Sequence, residues 1–142
     1  MNCREVMTEN PVCCLPDDTV SAAARIMRRE HIGAVPIVND EQMKQLIGIV
    51  TDRDLAIKVV AESRDPNHTL VQDVMTSTIV VCRESDDFSS AIKSMEEYQI
   101  RRVPVVDNDG RIVGIISQAD VGARVHEPAK TARVVKEISQ AA

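Results

Sequence analysis

Aromatic residues are nearly missing from this chain: of its 142 residues one is Tyr, one is Phe and none is Trp. That leaves no platform on which successive bases could stack, so a planar ligand would have to lie between aliphatic groups. A basic surface is missing too. Asp and Glu number 22 against 17 Lys and Arg, a net charge of -5, which argues against a protein that binds nucleic acid through its backbone. No apolar run approaches the roughly 18 residues of a membrane span. The opening Met1-Asn2-Cys3-Arg4-Glu5 lacks the basic-then-apolar order of a secretory leader. A soluble, cytoplasmic protein is expected, with neither nucleic acid nor membrane as partner.

Metal and catalytic patterns are absent as well. Cys3, Cys13, Cys14 and Cys82 form no CxxC pair, and His31, His68 and His126 are scattered, so no metal site is expected. Cys13, Cys14 and Cys82 lie in short apolar stretches and read as small buried hydrophobes, with a redox role for the adjacent Cys13 and Cys14 as the alternative. Nothing resembles a nucleophile with its base or a pair of carboxylates set for acid-base work, so no catalytic residue is expected and the chain reads as a non-enzyme. His31 is the one acid-base group near the motifs described below, and at a helix end it reads as a capping or surface residue.

What the sequence does contain is itself, twice. At a constant offset Val6-Met7-Thr8 falls on Val74-Met75-Thr76, Cys14 on Cys82, Asp18 on Asp86, Met27 on Met95, and Val35-Pro36-Ile37-Val38 on Val103-Pro104-Val105-Val106. After a small length difference, Gly48-Ile49-Val50-Thr51 meets Gly114-Ile115-Ile116-Ser117 and Asp54 meets Asp120. Two copies are too few for a solenoid, so a pseudo-twofold pair is expected. Each copy reads as β-α-β-β-α. Val20, Ala23, Ala24 and Met27, like Phe88, Ala91, Ile92 and Met95, mark one face of a helix. Asp17-Asp18-Thr19 and Ser85-Asp86-Asp87 supply its caps. Ala34–Val38 with Leu46–Val50, and Val103–Asp107 with Arg111–Ile116, read as hairpins, the second closed by Asp107-Asn108-Asp109-Gly110. The division is residues 1–67 for the first copy with its linker, 68–126 for the second, and 127–142 for a helical tail carrying Val134, Val135 and Ile138.

The chemistry concentrates where a strand runs into a helix. Thr51-Asp52-Arg53-Asp54 and Ser117-Gln118-Ala119-Asp120 have the form of a capping box, in which hydroxyl and carboxylate satisfy the first amides of a helix. Free amides and the helix dipole at such an end also favour a phosphate. The carboxylates of Asp54 and Asp120 suit the vicinal hydroxyls of a ribose. Arg53, Arg101 and Arg102 are nearby guanidinium groups shaped for phosphate. Together these suggest a nucleotide or nucleoside.

The "VMT" openings, the "IGAVPIV" and "IRRVPVVD" strands and the "GIVTDRDL" and "GIISQAD" junctions resemble a tandem CBS-domain pair, or Bateman module, over residues 2–126. The "TDRDLAIK" helix resembles, more closely, stand-alone bacterial members of hypoxic-response or stress type. The resemblance implies an α/β (α+β) fold of two pseudo-twofold repeats with small sheets packed face to face, usually as a homodimer. It also implies a regulatory module that senses AMP, ADP, ATP, NAD or S-adenosylmethionine between the repeats, needs no cofactor, and signals through a separate effector protein or through self-association. On that pattern Thr51, Asp54, Ser117 and Asp120 hold ribose and phosphate. His31, Gly33, Ala34 and Val35, with Gln99 to Val103 and the residues after each "VMT", line the adenine or phosphate region. Because Gly33-Ala34 stand where the second copy has Arg101-Arg102, the two sites should differ in affinity. The competing reading is a ligand-independent dimerisation or scaffold module in which both motifs are only caps.

Overall fold

A computed structural model describes residues 1–124; the tail at 127–142 and its expected helix lie outside the described residues. Along the chain come α1 (Cys3–Val6), β1 (Thr8–Glu9), α2 (Val20–Glu30), β2 (Ala34–Val38), β3 (Leu46–Thr51) and α3 (Asp52–Leu55), which continues into a π-helical turn over Ala56–Val60. A 3-10 turn (Val71–Asp73), β4 (Cys82–Arg83), α4 (Phe88–Tyr98), β5 (Arg102–Val106), β6 (Ile112–Ser117) and α5 (Gln118–Arg124) follow.

The two long helices begin and end for the same local reasons. Thr19 accepts from the Ala22 amide at 3.2 Å and Asp87 from the Ser89 amide at 2.9 Å, satisfying donors that a first turn leaves over. Each ends on a left-handed residue, His31 at φ 55° and Gln99 at φ 53°. The amides of His31 and Ile32 then fold back on the Met27 carbonyl, and those of Gln99 and Ile100 on the Met95 carbonyl, closing the helix and turning the chain towards its strand. Val20, Ala23 and Met27 of α2, and Phe88, Ala91, Ile92 and Met95 of α4, are the buried faces.

The repeat in sequence and the compact unit in space do not coincide. One unit is Met1–Asn10 together with the chain from Val80 onward, and the other is Pro11–Ile79. Each "VMT" segment therefore belongs to the unit built by the other copy. In the first unit the sheet order is β1-β6-β5-β4, with Thr8 antiparallel to Ile115 and Cys82 parallel to Val105. In the second, β2 and β3 form the hairpin, and single bridges from Cys14 to Ile37 and from Ile49 to Thr76 stand at the positions of the outer strands. Both hairpins carry a register irregularity at the same place, between Ile37 and Val38 and between Val105 and Val106.

The cores match position for position. In the second unit Val20, Ala23, Met27, Val35, Ile37, Val50, Val71 and Val74 pack together. In the first, Phe88, Ala91, Met95, Val103, Val105, Ile116, Cys3 and Val6 take the corresponding places. Burying each large aliphatic contributes about 1.5–3 kcal/mol. The cysteines follow the same logic: Cys3, Cys14 and Cys82 are buried, Cys13 is half-buried, and none is disulfide-bonded. Burial pushes the Cys13 thiol up to about 11 and the Cys14 thiol up to about 12, and raises those of Cys3 and Cys82.

Two glycines mark where a "VMT" segment crosses a hairpin. A Cβ at Gly48 would overlap the Met75 sulfur; at Gly114 it would overlap the Met7 sulfur and stand 2.9 Å from the Thr8 carbonyl oxygen. A methionine side chain can swing aside, whereas the β1 backbone is held by its ladder. Gly114→Ala should therefore cost about 1–3 kcal/mol in urea denaturation, and Gly48→Ala clearly less. The thiols give a second expectation. At pH 8 the folded protein holds them protonated, so alkylation by iodoacetamide should be slow, should accelerate as pH rises towards 11, and should become fast at pH 8 once the chain is unfolded.

Candidate functional site

Each junction is built from the last residue of a hairpin and the first turn of the following helix. Thr51 ends β3 opposite Ala34 and Ser117 ends β6 opposite Arg102. The amide after each returns to the strand entry: Asp52 donates to the Gly33 carbonyl and Gln118 to the Arg101 carbonyl, both at 2.9 Å. Hairpin and helix are thereby locked at a fixed angle.

Both motifs close as capping boxes. The Asp54 amide donates to the Thr51 hydroxyl at 3.0 Å, and the Thr51 amide donates to Asp54 Oδ2 at 2.9 Å. At the other junction the Asp120 amide donates to the Ser117 hydroxyl at 3.3 Å, and Asp120 Oδ2 accepts from the Ser117 amide at 2.8 Å and its hydroxyl at 3.0 Å. One oxygen of each carboxylate is fixed by the cap, which orients the other.

The second oxygens differ. Asp54 Oδ1 is 3.0 Å from the Lys58 ammonium, which also donates to the Val74 carbonyl at 2.9 Å. Asp120 Oδ1 accepts from the Thr8 hydroxyl at 3.5 Å, a contact at the outer limit of a hydrogen bond. Neither Lys58 nor the crossed placement of Thr8 was among the expected site residues. An acid followed four residues later by Lys on a helix is a legible signal for the first; nothing in a symmetric repeat signals the second.

The expectation of free amides for a phosphate is not met at α3. The amides of Asp52, Arg53 and Asp54 donate respectively to the Gly33 carbonyl, to Asp52 Oδ1 at 2.8 Å and to the Thr51 hydroxyl. Asp52 and Asp54 already supply negative charge to that helix end. The junction is thus better suited to accept hydrogen bonds from hydroxyls than to cradle an anion.

The remaining expected residues divide between the two units. His31 is exposed at the left-handed end of α2. Arg53 and Arg101 are exposed, the first on α3 and the second just before β5, while Arg102 is half-buried on β5. Gly33 presents its carbonyl to the junction, and Ala34 is buried opposite Thr51. Val35 is wholly buried among the core residues, so it offers the junction backbone and no side chain. Among the described residues no cluster of His, Cys, Asp and Glu could hold a metal ion, and no helix is long and apolar enough to cross a membrane.

Known proteins share this pattern. Hypoxic response protein 1 of Mycobacterium tuberculosis is 36% identical over 126 residues, covering 89% of this chain and 86% of that protein. An uncharacterised protein of Methanopyrus kandleri is 35% identical over 117 residues, covering 82% of this chain, which spans 59% of that protein's length. Among solved structures, Hypoxic Response Protein I with two coordinated zinc ions is 34% identical with a TM-score of 0.79, covering 88% of this chain and 99% of that one. The CBS domain pair of protein MJ0100, in complex with 5'-methylthioadenosine and S-adenosyl-L-methionine, is 28% identical with a TM-score of 0.76, covering 87% and 94%. The CBS domain family model matches residues 3–61 and again 71–126. With both copies matched, and with both junctions and crossed openings formed by the same positions of each copy, the chain belongs to the CBS domain family as a tandem pair.

Proposed function

We propose that this protein is a regulatory module that binds an adenosine-containing small molecule at its strand-to-helix junctions and passes on occupancy through a separate effector protein or through self-association. The observation that carries this reading is the division of labour within each carboxylate. One oxygen of Asp120 is fixed by the Ser117 cap, while the other accepts from the Thr8 hydroxyl at 3.5 Å, the outer limit of a hydrogen bond. An ionised carboxylate so held is an oriented acceptor for two neighbouring donors, which is what a ribose diol presents. Support also comes from the CBS domain pair bound to 5'-methylthioadenosine and S-adenosyl-L-methionine. Those ligands carry adenosine without phosphate, in keeping with the amides of α3, which are already taken at the Asp54 junction.

On this reading the protein catalyses no reaction and requires no cofactor. AMP, ADP, ATP and NAD compete with the sulfur-linked adenosines for the same ribose acceptor, with Arg53, Arg101 and Arg102 as the phosphate partners. It works in the cytoplasm as a homodimer. A second reading is favoured by the completeness of the caps: hydroxyl and carboxylate in both boxes are committed to the helix ends, the task they would have in a ligand-independent scaffold module.

Calorimetric titration with 5'-methylthioadenosine, S-adenosylmethionine, AMP and ATP separates the two. The ligand-sensing reading expects saturable binding of at least one of them, which Asp120→Ala weakens by about tenfold or more, the loss of a charge-assisted hydrogen bond. The scaffold reading expects no heat with any ligand at millimolar concentration, and for Asp120→Ala only a stability loss of about 1 kcal/mol, as for a cap.

A further inference from the structure

Resting on the adenosine reading, we propose that Lys58 is a built-in occupant of the Asp54 junction, holding its ribose acceptor shut against a neutral diol. The Lys58 ammonium donates at 3.0 Å to the one Asp54 oxygen that the cap leaves over, and at 2.9 Å to the Val74 carbonyl. Val74 leads into Met75 and Thr76, and Thr76 bridges to Ile49 on β3, so the same segment flanks the junction and anchors the lysine.

Backbone geometry sets up this reach. Lys58 lies in the π-helical turn over Ala56–Val60, where the Ala61 amide returns to the Ala56 carbonyl at 2.9 Å and the Arg64 amide to the Val59 carbonyl at 3.0 Å. Such widened turns recur at functional sites. The Asp54 side chain is 13% exposed and that of Lys58 44% exposed, so the acceptor is enclosed while its cover remains free to swing out. A neutral diol offers weaker hydrogen bonds to a carboxylate than an ammonium does and therefore competes poorly for Asp54.

5'-Methylthioadenosine is the appropriate probe because it carries no phosphate that could recruit Lys58. Titrations of the full chain, of Lys58→Met, of Lys58→Gln and of Lys58→Met combined with Asp54→Asn should show a gained binding event, or about tenfold tighter binding at the weaker site, in both single variants. The double variant should lose that gain, and thermal melting should confirm that every variant is folded. Unchanged binding in folded Lys58→Met and Lys58→Gln, while the parent protein binds, overturns the occlusion and leaves the adenosine reading intact. So does a weakening of AMP binding with 5'-methylthioadenosine unaffected, which would make Lys58 a phosphate partner. Absence of 5'-methylthioadenosine binding in every folded variant overturns the occlusion, and absence of S-adenosylmethionine, AMP and ATP binding as well overturns the adenosine reading itself.

Discussion

The close approach of each "VMT" segment to a glycine of the other copy's hairpin is the constraint on which the rest depends. Met75 lies against Gly48 and Met7 against Gly114, with no room for a Cβ between them. This contact lets Thr76 bridge to Ile49 and Thr8 pair with Ile115. It thereby brings the Val74 carbonyl to Lys58 and the Thr8 hydroxyl to Asp120. Without it the hairpins would end at bare capping boxes, and the features that distinguish the two junctions would not be assembled.

The caps show why the same groups can serve stability and recognition. A carboxylate has more acceptor capacity than a helix end requires. Thr51 and Asp54 use one oxygen to close the first turn, and Ser117 and Asp120 do the same. The cap restricts the carboxylate's rotation, so the remaining oxygen points in a set direction before any ligand arrives. Pre-organisation of this kind lowers the ordering cost of binding.

Much of this was legible in the sequence. The doubled β-α-β-β-α order, the hairpins, the helix faces and the caps at Thr19 and Asp87 follow from local periodicity and turn chemistry, which are properties of neighbouring residues. The crossed openings were not legible, because a repeat alignment places Thr8 on Thr76 whichever unit each one joins. The amides of α3 looked free because the carbonyl of Gly33 and the carboxylate of Asp52 take them through folding geometry. Val35 looked available to a ligand because its segment borders the junction, but strand alternation turns its side chain into the core.

The asymmetry that the sequence suggested rested on Arg101 and Arg102 against Gly33 and Ala34 at the strand entries, and on Asp52 and Arg53 against Gln118 and Ala119 at the junctions. On the proposed reading, a direct contact at the Asp54 carboxylate stands beside those charges. Arg101 is exposed at the strand entry, where solvent screens its charge. Lys58, by contrast, contacts an enclosed oxygen directly, and a contact of that kind is screened far less. On the proposed reading, a lysine four residues after Asp54 thus engages the oxygen that the cap leaves over.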